Sequence, residues 1–417
     1  MDLLKMIEDN QIEKTGHKKK IIVPGISSDS WDIYKIPLDL LYYNDKNGRV
    51  ITAYQKYKAE HGPLEPVPGK SEYNEIFQKF TFDSNPSALK NTLRSIKEKT
   101  QQEPGVVLPD GRVIDGNRRF TALRMIESDD NIPQYFEAAV FPLYTDSVND
   151  EKKIKELELD LQIAREEKVS YDPIDRIFDI YDTIKIKKLM TPEEYKKYSG
   201  AKNTKGINRD IRLAELVLKF IEIISPKGDP VDKFYLAREL KIDGPIEEIE
   251  GTINKLKDKD KETLTDAVLT YLAVIKTSDE NVEPTKEIRD LKNYIFKNED
   301  MKNDLIDAVD DKVDDIIDFF KDNPIENSND LKKAVQDSEK FKNTVDEMET
   351  AVKNLTYKGK EYEERRGALS DLHVILDSLS EISSDDFKEL NSEEYTEAKD
   401  ILQEITDNID KLKRGLN

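Results

Sequence analysis

The residues of this chain best suited to chemistry lie between Gln101 and Arg124. They read Gln101-Gln102-Glu103-Pro104-Gly105-Val106-Val107, then Asp115-Gly116-Asn117-Arg118-Arg119-Phe120-Thr121-Ala122-Leu123-Arg124. A glycine turn that opens a helix presents backbone N–H groups without intrahelical partners, beside the positive end of the helix dipole. Two arginines in that first turn can fork onto phosphate oxygens, because a planar guanidinium matches that geometry. Gly116, Asn117, Arg118 and Arg119 therefore make a candidate anion site, suited to a nucleotide polyphosphate. The other reading of the same residues is a turn whose arginines pair with neighbouring acids. For acid–base work the nearby carboxylates are Glu103, Asp115 and Glu166, but carboxylates are too frequent throughout the chain for any one pair to stand out. No Gly-x-Ser-x-Gly, Walker A or Cys/His constellation occurs.

A second constellation starts near Asn203. Ile207, Ile211, Ala214 and Leu218 share a narrow apolar face at 100° per residue, while Lys205, Asn208, Arg209 and Arg212 lie opposite and Lys202 precedes them in the turn. A helix packed by one face and presenting Lys, Arg and Asn on the other can contact phosphates and base edges of DNA. An ordinary basic wet face reads the same way. A third pattern, Asp304, Asp307, Asp311, Asp314, Asp315 and Asp318, forms a carboxylate stripe without the Gly and terminal Glu of a calcium loop. It reads as a solvated helix face, the alternatives being a divalent-metal site, a mimic of DNA phosphates or a docking surface for a basic partner.

The elements that must position these residues are mixed at first and then helical. Residues 1–30 read as a leader containing the basic run Lys18-Lys19-Lys20, with strand-like text from Ile21 to Ile36. The stretch from Asn44 to Gly69, punctuated by Asn47-Gly48, Gly62-Pro63, Pro66 and Pro68, reads as turn and loop. Residues 86–100 predict a helix capped by Ser87. Val106–Leu108 and Arg112–Ile114 predict a hairpin, Arg118–Ile126 a helix, and Ala138–Leu143 a strand. Beyond residue 150 helical text dominates, with start signals at Asp172-Pro173 and at Thr191-Pro192-Glu193-Glu194. Val345, Met348, Val352 and Leu355 form a short apolar seam. So do Leu369, Leu372, Leu376 and Leu379, and likewise Ile401, Ile405, Ile409 and Leu412, which together suggest an antiparallel bundle. The expected class is α+β: a small mixed N-terminal domain over 31–150, a helical, helix-turn-helix-like region over 151–244, and an acidic all-α bundle over 245–417.

Composition narrows the function classes. With no Cys and only three His, at positions 17, 61 and 373, the 417-residue chain can build neither disulfides nor a Cys/His metal site. No apolar run approaches the ~20 residues of a membrane helix, and the N-terminus lacks a signal-peptide core, so a cytoplasmic protein without membrane contact is expected. The net charge of −21 is unevenly spread. Residues 1–244 hold 40 basic and 42 acidic side chains, and residues 245–417 hold 26 and 45. The acidic surface that would repel nucleic acid thus belongs to the C-terminal part.

Asp115–Arg124 resembles the phosphate-binding box of the ParB/sulfiredoxin-like superfamily, a Gly-x-Arg-Arg turn leading into a helix. Ile36-Pro37-Leu38-Asp39-Leu40 followed by Asn44 to Arg49 is similar to the family's opening strand and its Asn/Arg loop. Gln102-Glu103-Pro104 resembles its Gln-x-Pro, and Asp172-Pro173-Ile174-Asp175 stands where ParB proteins begin the helix after the nucleotide domain. A Thr-x-Glu-Glu helix and a Gly turn follow in the same order, so the resemblance spans about residues 33–220. It implies binding of a nucleoside triphosphate, CTP or ATP, with Gly116 to Arg119 on the phosphates and Gln102 to Pro104 beside the nucleotide, followed by helix-turn-helix binding of DNA. In place of the family's Glu-Asn-x-x-Arg box for magnesium and triphosphate the chain has Leu161 to Lys168, with Gln162, Arg165 and Glu166 as the substitutes. Asp-Gly-Asn-Arg-Arg is closest to the mobile-element and defence-associated ParB-like proteins. The expected function is a nucleotide-gated DNA-binding module. The alternatives are an NTPase, phosphotransferase or nuclease of the same superfamily, or an interaction protein whose acidic helices self-associate or dock a basic partner.

Overall fold

Strand alternation sets the architecture of the N-terminal part. The computed structural model describes residues 1–22, 28–68, 71–144, 147–163, 172–278, 282–383, 387–388 and 390–415. The chain begins with α1 (Leu3–Glu8), β1 (Glu13–Lys20), β2 (Ser30–Pro37) and β3 (Tyr42–Tyr43). Three helices follow: α2 (Ile51–His61), α3 (Ser71–Ser84) and α4 (Pro86–Lys99). Then come β4 (Gly105–Val107), β5 (Arg112–Asp115), α5 (Asn117–Asp130), β6 (Tyr135–Val140) and α6 (Val148–Ile163). The strands form one mixed sheet in the order β1-β2-β6-β4-β5-β3, with β4 parallel to β6 and β3 parallel to β5. Successive side chains on a strand point to opposite faces. Ile36, Val107, Val113, Ala138 and Val140 accordingly join a core with Tyr43, Phe77, Leu89 and Phe120. Their neighbours Ile33, Val106, Ile114 and Ala139 join a second core with Ile154, Leu157 and Leu161 of α6. Helices therefore cover both faces of the sheet.

The first 20 residues of the expected 1–30 leader belong to this domain. Asp2 caps α1 through Leu4 N–H, Leu3 is fully buried, and its N–H donates to the Pro109 carbonyl at 2.8 Å. β1 then pairs along β2, placing Lys18, Lys19 and Lys20 on a strand. The stretch expected as loop between Asn44 and Gly69 contains α2, whose buried Thr52, Tyr54 and Gln55 are too polar to register as an apolar stripe. Asn85, not Ser87, caps α4.

Everything described after residue 172 is helical. α7 (Pro173–Tyr181) runs into one π-helical turn, Asp182–Ile186, and is followed by α8 (Pro192–Ser199), α9 (Thr204–Ile224), α10 (Tyr235–Glu239), α11 (Asp243–Ile253), α12 (Asp258–Thr277) and α13 (Pro284–Tyr294). The remainder is α14 (Glu299–Asp322), α15 (Asp330–Asp337), α16 (Glu339–Glu381) and α17 (Ser392–Gly415). Two compact units result, Met1–Lys353 and Asn354–Asn417. No boundary falls at residue 244/245, because α11, α12 and α14 all pack on α9. The seam from Val345 to Leu355 is buried as expected. The expected bundle packing of the later seams is not seen: Leu369, Leu372, Leu376, Ile401 and Leu412 are exposed. The aspartate stripe of α14 is its wet face, opposite buried Leu305, Val309, Val313, Ile316 and Phe320. Among the described residues, no helix is long and apolar enough to cross a membrane.

Truncating Leu3 to Ala should lower folding stability by about 2–5 kcal/mol, the range for an emptied core leucine site. A chemical denaturation midpoint unchanged from wild type would mean that residues 1–10 are a leader after all.

Candidate functional site

Two glycines and one phenylalanine build the turn before α5. Gly116 sits in the left-handed region at φ +97° as the N-cap of α5. A Cβ there would come within 2.8 Å of Phe136 Cζ and 3.0 Å of Arg119 Nη2. Gly105 is tighter still, since its Cβ would lie 2.2 Å from Phe136 Cζ and 2.7 Å from the Asp115 carbonyl oxygen. The buried Phe136 ring thus requires glycine at both positions and holds the Glu103–Gly105 segment against Asp115–Gly116. The antiparallel pairing of Val106 with Asp115 continues the same contact.

The first turn of α5 has no side-chain cap and no acidic residue. Its dipole is therefore not compensated by an acidic side chain of its own first turn. Asp115, nearly buried, holds Arg119 by an ion pair of 3.3 Å (Oδ2 to Nη2). Arg118 is half-buried. The Asn117 side-chain carbonyl Oδ1 is buried and has no hydrogen-bond partner among the described residues. Thr121 locks the turn from below, donating to the Asn117 carbonyl at 2.9 Å and contacting the Tyr43 hydroxyl at 2.7 Å.

Residues 101–104 lie on the neighbouring strand entry, where each makes a different contact. Gln101 forms the structural contact, donating to the Glu137 carbonyl at 2.7 Å and accepting from Glu137 N–H at 3.0 Å. Gln102 instead folds back onto the Lys99 carbonyl. Glu103 is exposed, 3.7 Å from Lys19, and the same lysine donates to the Pro104 carbonyl at 2.8 Å. Lys19 escaped the sequence reading because it lay in a segment taken for a leader. Gln162 lies on α6; Arg165 and Glu166 fall outside the described residues. Among the described residues no cluster of three or more His, Asp or Glu could hold a metal ion.

The helix-turn-helix text folds as a helix, a turn and a helix. Thr191 and Glu194 form the expected capping box at α8, Gly200 ends it at φ +63°, and Asn203 caps α9. Lys202, Lys205 and Asn208 are exposed at the start of α9. Arg209 and Arg212 are not simply part of that outward face. Arg209 reaches Glu247 at 3.6 Å and Glu250 at 3.7 Å, and Arg212 Nε bonds Glu250. Asp210 is buried beside Arg176 at 3.2 Å, and burial raises its carboxyl above the usual range. From Leu213 to Ile224 nearly every residue of α9 is buried, so only its first two turns resemble a one-sided helix.

Two cavities accompany these elements. The larger, about 660 Å³, lies between α8 and the start of α9 and is lined by Lys152, Lys188, Thr191, Asn208, Arg212 and Glu215 among others. The smaller, about 40 Å³, holds a dense charge cluster around Asn44, Lys46, Arg112, Lys155, Asp179 and Thr183. Within it Lys155 pairs with Asp179 at 2.7 Å and Glu158 at 3.4 Å. Gly48 abuts Asp179, leaving no room for a Cβ at 2.9 Å. Neither cavity is lined by residues 102–104 or 115–119.

A second charged joint ties α2 to the helical region. Thr52 donates to Asp175 Oδ1, Arg238 donates to Asp175 Oδ2 at 3.1 Å, and Lys56 pairs with Glu239. Burial pushes the Asp175 carboxyl up to about 7, with Arg238 and the Thr52 hydroxyl pulling the other way. Compared with protein-family models, curated proteins and solved structures, the chain matches none of them.

Because the folded pKa of Asp175 lies above its unfolded value, its protonated form favours the fold, and this contribution is lost as pH rises from about 4 through about 7. Wild-type stability should fall relative to Asp175→Asn across that window, by up to about 1.4 kcal/mol per pH unit. Denaturation curves from pH 4 to 8 test this; parallel pH profiles of the two proteins would refute it.

Proposed function

We propose that this protein is a ParB-like module that binds a nucleoside triphosphate at the Asp115–Arg119 turn and DNA through the start of α9. The observation that carries the reading is the convergence at Gly116. An uncapped helix N-terminus, two first-turn arginines and an unpartnered Asn117 acceptor all belong to one glycine-constrained turn. Phosphate oxygens accept from amides and guanidinium groups. Asp115 orients Arg119 rather than acting on substrate, and exposed Glu103 lies beside Lys19, so neither is assigned a catalytic role. The triphosphate would be held by the α5 amides with Arg118 and Arg119. No magnesium ligand set is assigned among the described residues.

Support for the DNA reading comes from the α8–turn–α9 unit, with Lys202, Lys205 and Asn208 exposed on its leading edge. Arg209 and Arg212 are positioned beside them by Glu247 and Glu250, which keeps both guanidinium groups at the same edge. Binding through such a face is dominated by phosphate contacts and weakens steeply with salt.

In isothermal titration, Arg118→Ala with Arg119→Ala should abolish CTP and ATP binding without unfolding the chain; affinities equal to wild type would refute the nucleotide site. Lys202→Glu with Lys205→Glu should weaken DNA binding and lower the slope of log K against log salt by about two, one for each lost phosphate contact. Fluorescence anisotropy across a salt series reads this directly, and an unaltered slope would place the DNA contact elsewhere.

A further inference from the structure

The last helix carries a heptad pattern that is left exposed among the described residues of its unit, Asn354–Asn417. On α17, Tyr395, Ala398, Leu402, Ile405, Ile409 and Leu412 are spaced 3, 4, 3, 4 and 3 apart. That is the 3.5-residue period of a coiled-coil seam, sustained over most of a 24-residue helix. None of the six is buried, with Tyr395 47%, Leu402 45% and Leu412 58% exposed. Ile401, beside Leu402 on the flank of the seam, is 51% exposed. On α14, a helix of the same length, the apolar stripe is buried by its neighbours. A lone helix of this size draws its stability in water from packing an apolar face, so an open seam calls for a partner.

We propose that α17 forms a parallel, in-register, two-stranded coiled coil with the α17 helix of a second copy of this chain. The positions flanking the seam select this occupant. Lys399, Thr406 and Lys413 follow the second apolar position of each heptad, and Glu394, Ile401 and Asn408 precede the first. In a parallel pair, Glu394 faces the partner's Lys399 and Asn408 faces the partner's Lys413, and such flanking contacts set orientation. An antiparallel pair instead sets Lys399 against the partner's Lys413, a like-charge contact. A lipid surface is disfavoured as the occupant. The helix holds seven acidic and four basic side chains, the reverse of the basic polar face that anionic membranes attract. The proposal is independent of the nucleotide and DNA readings.

Sedimentation equilibrium of the full chain should give twice the 48.2 kDa of one copy at micromolar concentration. Leu402→Asp with Leu412→Asp should return it to one copy with the rest of the chain folded, any loss of helical circular dichroism being no more than the 24 residues of α17, because both side chains are exposed within a single copy. A monomeric wild type, a wild-type mass above two copies, or a dimer unaffected by the double substitution would each overturn the proposal. The chain has no cysteine, so Tyr395→Cys reports orientation cleanly. In a parallel pair the two sulfurs meet and oxidation yields covalent dimers. In an antiparallel pair they are separated by about 25 Å, from a rise of 1.5 Å per residue, and the absence of cross-linking would refute the parallel register.

Discussion

The Phe136 ring, buried in the sheet, dictates the geometry of the turn in front of α5. It occupies the volume where Gly105 and Gly116 would each carry a Cβ. As a result the entry to β4 and the exit from β5 lie against one another, and the exit takes a left-handed conformation that delivers the chain into a helix without a side-chain cap. A larger residue at either glycine must displace an aromatic ring or a backbone carbonyl, neither of which has free space around it. The positions of Arg118, Arg119 and Asn117 follow from this constraint. So does the use of Asp115, which pairs with Arg119 one turn ahead of it on the helix.

The parts of this arrangement that follow local rules were readable from the residues alone. The hairpin over Val106–Ile114, the helix after Asp115-Gly116-Asn117, and the capping box at Thr191 each depend on turn or cap chemistry within a few positions. What was hidden depends on contacts distant in sequence. α2 buries Thr52 and Gln55 against partners more than a hundred residues away, so its buried face lacks an apolar signature. β1 is a run of lysines and other polar residues that pairs along a sheet edge, and its basic text suggests a tail unless its partner strand is known. Gln101 and Gln102 are chemically identical, and only the position of Glu137 decides which one bridges to β6.

Charge was legible in amount but not in placement. The acidic excess lies after residue 245, yet Glu247 and Glu250 of α11 sit directly beside Arg209 and Arg212 of α9. Exposed pairs of this kind add little stability, whereas Glu250 is almost completely buried and must keep its cationic partners. The α9 arginines therefore serve the packing of α11 as well as any ligand at the surface. Among the described residues no ion pair holds Lys202, Lys205 or Asn208, which makes them the informative positions at the start of that helix.

The Asp115–Arg119 turn and the small charged cavity share one very short strand. β5 has four residues; Asp115 at its end holds Arg119, and Arg112 at its start lines the small charged cavity. On the far side of that cavity Asp179 accepts from Lys155 and from the Tyr195 hydroxyl of α8, while Gly48 closes over Asp179. The four-residue strand is paired on both edges, which fixes Arg112 and Asp115 relative to one another. Buried ion pairs with little free volume around them do not deform gradually; they break or hold. For the nucleotide-gated module proposed above, the place to look for coupling is the Lys155–Asp179 pair, where sequence-distant charges from the sheet domain and the helical region meet in a space of about 40 Å³.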